Sequence, residues 1–213
     1  MKKIFLIIAA VTLMANYVSA QENRPDFRNM FQLGLKAGAN LSNVYNTQGE
    51  DFVADPKIGL VTGAFIEIPV WKYFGVQPGL LFSQKGFRAS GSFLGVNYKS
   101  THTSNYIDMP LLATFKPSGL VTLVVGPQIS FLINQKDVFT SGSLTINQEQ
   151  EFENNNVRRN VLCFLGGFDI NLDHIVLGAR AGWDIQNNNG NGTSSNPRYK
   201  NVWYQGTLGF RFY

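Results

Sequence analysis

The segment from Val202 to Phe212 alternates two kinds of side chain. Successive side chains of a β-strand point to opposite faces, so this alternation predicts a strand with one apolar face and one mixed face. Such a strand suits a closed barrel whose outer face meets hydrocarbon and whose interior is polar. The apolar set is Val202, Tyr204, Leu208, Phe210 and Phe212, and the intervening set is Trp203, Gln205, Thr207, Gly209 and Arg211.

The first 20 residues have the pattern of a secretory signal peptide. Lys2 and Lys3 precede an apolar run from Ile4 to Met14, and a small-residue cleavage site follows before Gln21. The run is too short to span a bilayer as a helix. We therefore expect a signal peptide over residues 1–20, a short periplasmic segment over 21–30 and one barrel domain over 31–213.

Charge and composition exclude several classes of protein. Loss of the signal removes two of the 18 basic residues and leaves 16 against 14 acidic residues, a formal charge of +2. No basic stripe is present, so we expect no nucleic-acid partner. No later segment is an uninterrupted apolar run of about 18 residues, so only strands are available to cross a membrane. Backbone groups in hydrocarbon must pair internally, which requires the sheet to close.

Eight segments show strand alternation. The predicted strands are about 31–42, 57–70, 73–85, 105–116, 119–133, 160–172, 174–185 and 201–213. Tight turns at 70–73, 116–119 and 171–174 alternate with long polar links at 43–56, 86–104, 134–159 and 186–200, which places all short turns at one rim. Within the third link, Leu144 to Phe152 alternates and predicts a hairpin above the membrane. The sequence thus predicts an all-β fold, an eight-stranded antiparallel up-and-down transmembrane β-barrel. We expect Pro78 and Pro127 each to cause a bulge or interrupted pairing, because proline donates no ladder hydrogen bond.

The same alternation assigns nine charged side chains to the barrel interior. An eight-stranded barrel is only wide enough for its own side chains, so we expect these groups to form a structural network of ion pairs and to leave no large pore. They are Lys36, Glu67, Lys85, Asp108, Lys116, Asp169, Arg180, Asp184 and Arg211.

Short sequence words occur in order along nearly the whole mature chain. They include Gly34–Gly38, Gly63–Phe65, Ser83–Gly86, Met109–Leu112, Gly126–Gln128, Gly178–Arg180 and Leu208–Phe212. In these words the chain resembles the PorT-like outer-membrane β-barrel proteins, small porin-family barrels of Gram-negative bacteria. The resemblance implies location in the outer membrane, no enzyme activity and no cofactor. It also implies contact with outer-membrane lipid and with the barrel-assembly machinery, which would read the C-terminal strand through Tyr204, Leu208, Phe210 and Phe212.

Two positions depart from that family pattern. Gly79 stands where similar proteins often carry a carboxylate after Gln-Pro, so one interior charge pair is expected to be missing. Tyr213 follows the phenylalanine that usually ends the chain, and the pleat would point its side chain inward. Some family members serve in secretion or gliding, which leaves an extracellular or secretion-system protein partner open.

Two other functions compete with a non-enzymatic structural, adhesive or accessory barrel. A soluble periplasmic lipocalin-like barrel would have the opposite polarity, with apolar side chains inside. An outer-membrane hydrolase acting on lipid or peptide would use His102, which lies in the second long link near Ser100, Ser104 and Asp108. His174 lies in a short turn at the other rim and is expected to be too far away to share that site. The sequence shows no metal-ligand spacing and no cofactor motif.

Overall fold

The computed structural model describes residues 26–48, 53–93, 96–141, 144–150, 158–188 and 198–213. The predicted signal peptide and residues 21–25 lie outside this part of the chain. A short 3-10 turn at Phe27–Asn29 precedes the strands. The strands are β1 (Gln32–Gln48), β2 (Val53–Pro69), β3 (Phe74–Phe93), β4 (Val96–Phe115), β5 (Val121–Ser141), β6 (Leu144–Gln150), β7 (Asn160–Leu172), β8 (Ile175–Asp184) and β9 (Arg198–Phe212).

Eight of these strands close into an antiparallel barrel. The sheet runs in the order β4-β3-β2-β1-β9-β8-β7-β5, and the pairing of β4 with β5 closes the circle. The first and last strands pair from Leu33↔Phe212 to Gln48↔Arg198. Strand β6 lies outside this circle and pairs with the C-terminal part of β5, from Gln135↔Gln150 to Ser141↔Leu144. The predicted fold class and the predicted hairpin after β5 are both confirmed.

The apolar face of every barrel strand points outward. On β5, the exposed side chains include Leu123, Val125, Ile129 and Ile133. Ten residues of strand rise about 34 Å, or about 26 Å along the barrel axis at a tilt of about 40°. This height matches the apolar band of about 25 Å that outer-membrane barrels present to lipid. The outward apolar side chains therefore form a belt of the right height to span a membrane.

The strands extend much further at one end than the sequence predicted. The links expected at 43–56, 86–104 and 134–159 are instead largely strand, and β3 and β4 pair as far as Phe93↔Val96. Above the belt both faces of a strand can be wet, so the chain needs no apolar alternation there and the sequence pattern gave no signal. At the other end, the strands stop within a few residues of the predicted limits. We call that end the turn rim, since it carries the turns at 70–73, 116–120 and 173–174.

Neither proline shifts the register of its strand. Pairing of β2 with β3 is interrupted beside Pro78, between Phe65↔Gly79 and Ile68↔Val76, and resumes in the same register. Pairing of β4 with β5 is interrupted in the same way beside Pro127. Register shifts occur at positions further from the turn rim, for example between Asn105 and Tyr106.

Tyr213 does not follow the pleat into the lumen. Its ring centroid lies 4.6 Å from that of His174, which also stacks on the outward-facing Phe210. The Tyr213 hydroxyl donates to Asp173 Oδ1 at 3.1 Å. The strand has ended at Phe212, so the pleat no longer fixes the direction of this side chain. In the described residues, no helix is long and apolar enough to cross a membrane.

Candidate functional site in the barrel lumen

All nine charged side chains assigned to the interior are buried in the lumen. None has more than 8% of its surface exposed. Buried charge requires a counter-charge or a full set of hydrogen bonds, because transfer from water costs several kcal/mol per ion. The lumen also contains neutral side chains that fill its width, including Trp203, Val61 and Phe65.

The turn-rim half of the lumen contains two ion pairs. Lys116 Nζ lies 2.8 Å from Glu67 Oε1, and Glu67 also accepts hydrogen bonds from Thr114 and Gln77. Arg180 Nη2 lies 3.0 Å from Asp169 Oδ2. The first pair joins β2 to the turn that follows β4, and the second joins the neighbouring strands β7 and β8. Arg180 Nη2 also donates to Gln77 Oε1 at 3.2 Å, which ties β8 to β3 across the lumen.

Two buried cations in the same half have no such counter-charge. Arg211 donates to the neutral side-chain oxygen of Gln32 at 2.7 Å and to the backbone oxygen of Asp173 at 3.1 Å. Lys36 places its ammonium 5.1 Å from the centre of the Phe65 ring. Within the described part of the chain, neither Lys36 nor Arg211 forms an ion pair.

A cavity opens from this half of the lumen at the turn rim. It has a volume of about 500 Å³, and its lining includes Gln32, Glu67, Lys116, Asp169, Asn171 and Arg211. We call this cavity the vestibule. A second cavity of about 10 Å³ lies against Lys36 and Arg180 and shares Phe65, Asp169 and Val176 with the vestibule.

The N-terminal segment borders the mouth of the vestibule. Arg28 pairs with Asp26 at 2.8 Å, and its backbone oxygen accepts a hydrogen bond from Lys116 Nζ at 3.1 Å. The hydrogen bonds from Arg28 lower the pKa of Asp26 from its usual value to about 2. This carboxylate therefore stays charged well below neutral pH. Its pair with Arg28 lies within the segment, and the hydrogen bond from Lys116 joins the segment to the turn rim.

The middle of the lumen holds the most deeply buried ion pair. Lys85 Nζ lies 3.1 Å from Asp108 Oδ2, and both side chains are 1% exposed. The same ammonium lies 3.8 Å from the centre of the Trp203 ring and donates to Ser130. Asp184, by contrast, accepts hydrogen bonds from Cys163 and Asn201 and pairs with no cation among the described residues.

His102 sits in strand β4 and not in a loop as the sequence predicted. It is 8% exposed, and its ring stacks on Phe87 with 5.1 Å between centroids. Nδ1 lies 2.5 Å from Asp137 Oδ1, and Nε2 lies 3.1 Å from Ser104 Oγ and 2.9 Å from the Tyr199 hydroxyl. We call Phe87, His102, Ser104, Asp137 and Tyr199 the outer cluster.

The sequence identified only part of the outer cluster. Of the residues expected near His102, Ser104 does contact its ring. Asp108 instead points deeper into the lumen and pairs with Lys85. The carboxylate that bonds His102 is Asp137, which was missed because residues 134–159 were predicted to be a loop. His174 lies at the turn rim, where its Nδ1 contacts the backbone oxygen of Arg211 at 2.9 Å. In the described residues, no group of three His, Cys, Asp or Glu side chains could hold a metal ion.

The polarity of the barrel contradicts the lipocalin-like alternative. That alternative required an apolar interior and charged outer strands. Here the exposed side chains of the belt are mainly apolar, such as Leu, Ile, Phe and Val, and the nine charged side chains assigned to the interior are buried. A soluble carrier of apolar ligands would need the reverse arrangement.

Comparison with known proteins agrees with this fold. Residues 19–202 match the model of a family described as outer membrane protein beta-barrel domain. Among solved structures, the attachment invasion locus protein Ail of Yersinia pestis is 14% identical with a TM-score of 0.46, over 85% of this chain and 98% of that chain. Neisserial surface protein A is 9% identical with a TM-score of 0.46, over 85% and 97%. The outer membrane protease OmpT of Escherichia coli is 10% identical with a TM-score of 0.38, over 85% and 96%.

These structural likenesses carry no argument about function, because every identity is below 25% and every TM-score is below 0.5. No curated protein sequence matches the chain. The family match spans most of the chain and does not distinguish PorT-like members from the rest of the family.

Proposed function

The chain belongs to the outer membrane protein beta-barrel domain family. From this we propose that it acts in the outer membrane as a non-enzymatic structural, adhesive or accessory protein. It is an outer-membrane β-barrel protein. Short turns of such barrels face the periplasm and the opposite end faces outward, so the turn rim is periplasmic. The proposed contacts with other molecules are made by the strands that stand above the membrane.

The observation that carries this proposal is the unequal height of the barrel wall. Above the apolar belt, β3, β4 and β5 continue through residues 84–93, 96–105 and 134–141, and β6 pairs alongside. We call these segments together the outer wall. Ten further residues add about 26 Å of height at the same tilt. Among the described residues, β7 begins at Asn160 and β8 ends at Asp184, so the described wall is tallest along β3, β4 and β5.

The outer wall offers a broad surface of paired strands to a partner. Its exposed side chains include Arg88, Ser90 and Lys99. Backbone pairing fixes the strands that carry these side chains, so binding to them does not require a loop to become ordered. Such a surface suits an adhesive or accessory role better than a flexible loop would.

The outer cluster supports a non-enzymatic role even though Asp137, His102 and Ser104 are hydrogen-bonded in series. This series has the order of a nucleophile, a base and an orienting acid. A working nucleophile must be reachable by substrate, but Ser104 is only 3% exposed. The Tyr199 hydroxyl also occupies His102 Nε2, the atom that would take the serine proton. We propose that the cluster closes the outer end of the lumen and holds β9 against β4.

A trimmed outer wall tests the proposed function. Replacing Ala89–Ser100 with Asn-Gly joins the paired residues Arg88 and Thr101 through a two-residue turn and leaves the belt unchanged. Cells that make the trimmed protein should lose the attachment to surfaces and to each other that the wild type supports. The amount in the outer membrane, measured by fractionation and heat-modifiable migration on a gel, should not change.

A matched control alters the other rim. Lys72→Ala changes an exposed side chain at the periplasmic turns and should leave attachment unchanged. Full attachment by the trimmed variant would contradict a role for the outer wall. Loss of attachment by both variants would equally contradict it, because the effect would then not depend on the outer surface.

A further inference from the structure

The vestibule has the size of a binding site for a small molecule. Its volume of about 500 Å³ lies within the range of about 300–1,000 Å³ that is usual for ligand pockets. It opens at the turn rim, so its ligand would arrive from the periplasm. Most of its lining residues are polar, and they include both charged and amide side chains.

The buried charges in this half of the lumen do not balance. Four cations, Lys36, Lys116, Arg180 and Arg211, face two anions, Glu67 and Asp169. At the mouth, the lining adds Arg28, Asp26 and Asp173, and Arg28 pairs with Asp26 at 2.8 Å. Within the lining, Asp26, Glu67 and Asp169 each pair with a cation. Among the described residues Arg211 has only neutral acceptors, the side-chain oxygen of Gln32 and the backbone oxygen of Asp173.

Buried donors in the same region also lack acceptors. Arg211 Nε, Arg180 Nε and Arg180 Nη1 have no hydrogen-bond partner among the described residues. Arg211 is 8% exposed and lines the vestibule. Arg180 is 6% exposed and lines the smaller cavity that shares three residues with the vestibule. A buried donor without an acceptor is unfavourable, more so when the group is charged, so an acceptor bound here would stabilise the barrel.

We propose that the vestibule binds a small periplasmic anion with carboxylate or phosphate oxygens. The planar guanidinium of Arg211 matches the paired oxygens of these groups. Asn171 and Thr122 line the same wall and already hydrogen-bond to each other at 2.9 Å, so the wall is ordered before a ligand arrives. The volume suits a dicarboxylate, a tricarboxylate or a phosphate monoester.

Titration of the full-length protein, purified from outer membranes in detergent, tests this site. Sodium citrate and inorganic phosphate are each titrated at constant ionic strength in an isothermal calorimeter, with sodium chloride as the reference salt. We expect saturable binding of at least one of the two oxyanions and none of chloride. Absence of saturation by both, or equal saturation by chloride, would overturn the proposal.

Three variants locate the binding. Arg211→Gln removes one positive charge from the lining and should weaken affinity at least tenfold. Lys57→Gln removes a buried cation at the outer end of the lumen and should leave affinity within twofold. If R211Q does not fold, Asn171→Asp provides the test, since it adds a negative charge to the lining and should also weaken binding tenfold. Unchanged affinity in the folded lining variants, or an equal loss in K57Q, would overturn the assignment.

Discussion

The ion pair between Lys85 and Asp108 shows what a single residue contributes to this barrel. Asp108→Asn would leave the Lys85 ammonium buried at 1% exposure without its counter-charge. Breaking a buried pair in this way costs about 3–5 kcal/mol. We expect the free energy of unfolding, measured by urea titration of the protein in detergent or lipid, to fall by that amount.

The double variant Lys85→Met with Asp108→Leu provides the control. It removes both charges, and replacing a buried ion pair by apolar side chains of similar volume is often neutral or stabilising. The double variant should therefore be more stable than Asp108→Asn alone. A double variant less stable than the single one would show that the cation–π contact with Trp203 at 3.8 Å dominates the pair.

The outer cluster allows a second prediction at the scale of single residues. His102→Gln breaks hydrogen bonds to Asp137, Ser104 and Tyr199, and each buried group left unpaired costs about 1–3 kcal/mol. Stability should fall by that order, while hydrolysis of p-nitrophenyl esters and phospholipids should stay at background in the variant and in the wild type alike. Ser104→Ala is the control. Hydrolysis by the wild type that both variants abolish would identify a catalytic centre.

Side-chain direction could be predicted from the sequence, but side-chain partners could not. Alternation along one strand places Glu67 and Lys116 inside the barrel without any knowledge of their neighbours. Whether these two meet depends on the tilt of the strands and the stagger between them, which no single strand records. Asp137 shows the same limit, because its contact with His102 exists only once β5 is known to extend past Ile133.

At the scale of the strand, the sequence predicted one end and missed the other for a physical reason. The end of β4 at Phe115 lies within one residue of the prediction, because the apolar face must stop where lipid stops. Its start at Val96 was missed by nine residues. Polar strands above the membrane are held by backbone pairing, and their side chains have no apolar environment to alternate against.

The seam between β1 and β9 allows a prediction about closure. A Cβ atom on Gly38 would lie 2.7 Å from the Thr207 Cα atom and still nearer to the Gly206 carbonyl oxygen. Gly38→Ala would therefore force the two paired backbones apart, and overpacking of this kind costs about 1–3 kcal/mol. We expect slower assembly into the heat-modifiable form and a lower urea midpoint.

A matched control lies on the same seam. A Cβ on Gly206 would meet no atom within 4 Å, so Gly206→Ala should assemble and unfold like the wild type. Both changes add one methyl group to facing strands, so a difference between them isolates close approach of the backbones. Equal behaviour of the two variants would show that the seam relaxes without cost.

At the scale of the whole molecule, polarity decided the fold class. Eight strands with apolar outer faces and charged inner faces fit a closed barrel in lipid, and the sequence carried this information in every strand. The height of the outer wall and the vestibule were not predictable in the same way. Both depend on how far paired strands continue and on which charges meet inside the closed sheet.

The filled lumen leads to a prediction for transport. Trp203, Val61 and Lys85 occupy its middle at 2% exposure or less, and Phe87, His102 and Tyr199 pack together at its outer end. The vestibule opens at the turn rim, so ions that enter it there meet these packed side chains. In planar bilayers the wild type should show no large, steady conductance under conditions in which a 16-stranded porin conducts.

Trp203→Ala tests whether packing is the barrier. Removing the indole should produce brief, small openings and no steady pore, because Lys85 and Asp108, on the neighbouring strands β3 and β4, still occupy the lumen beside it. Open events are counted in single-channel recordings at equal protein density in both samples. Steady large steps in the wild type would mean that the interior side chains do not close the barrel.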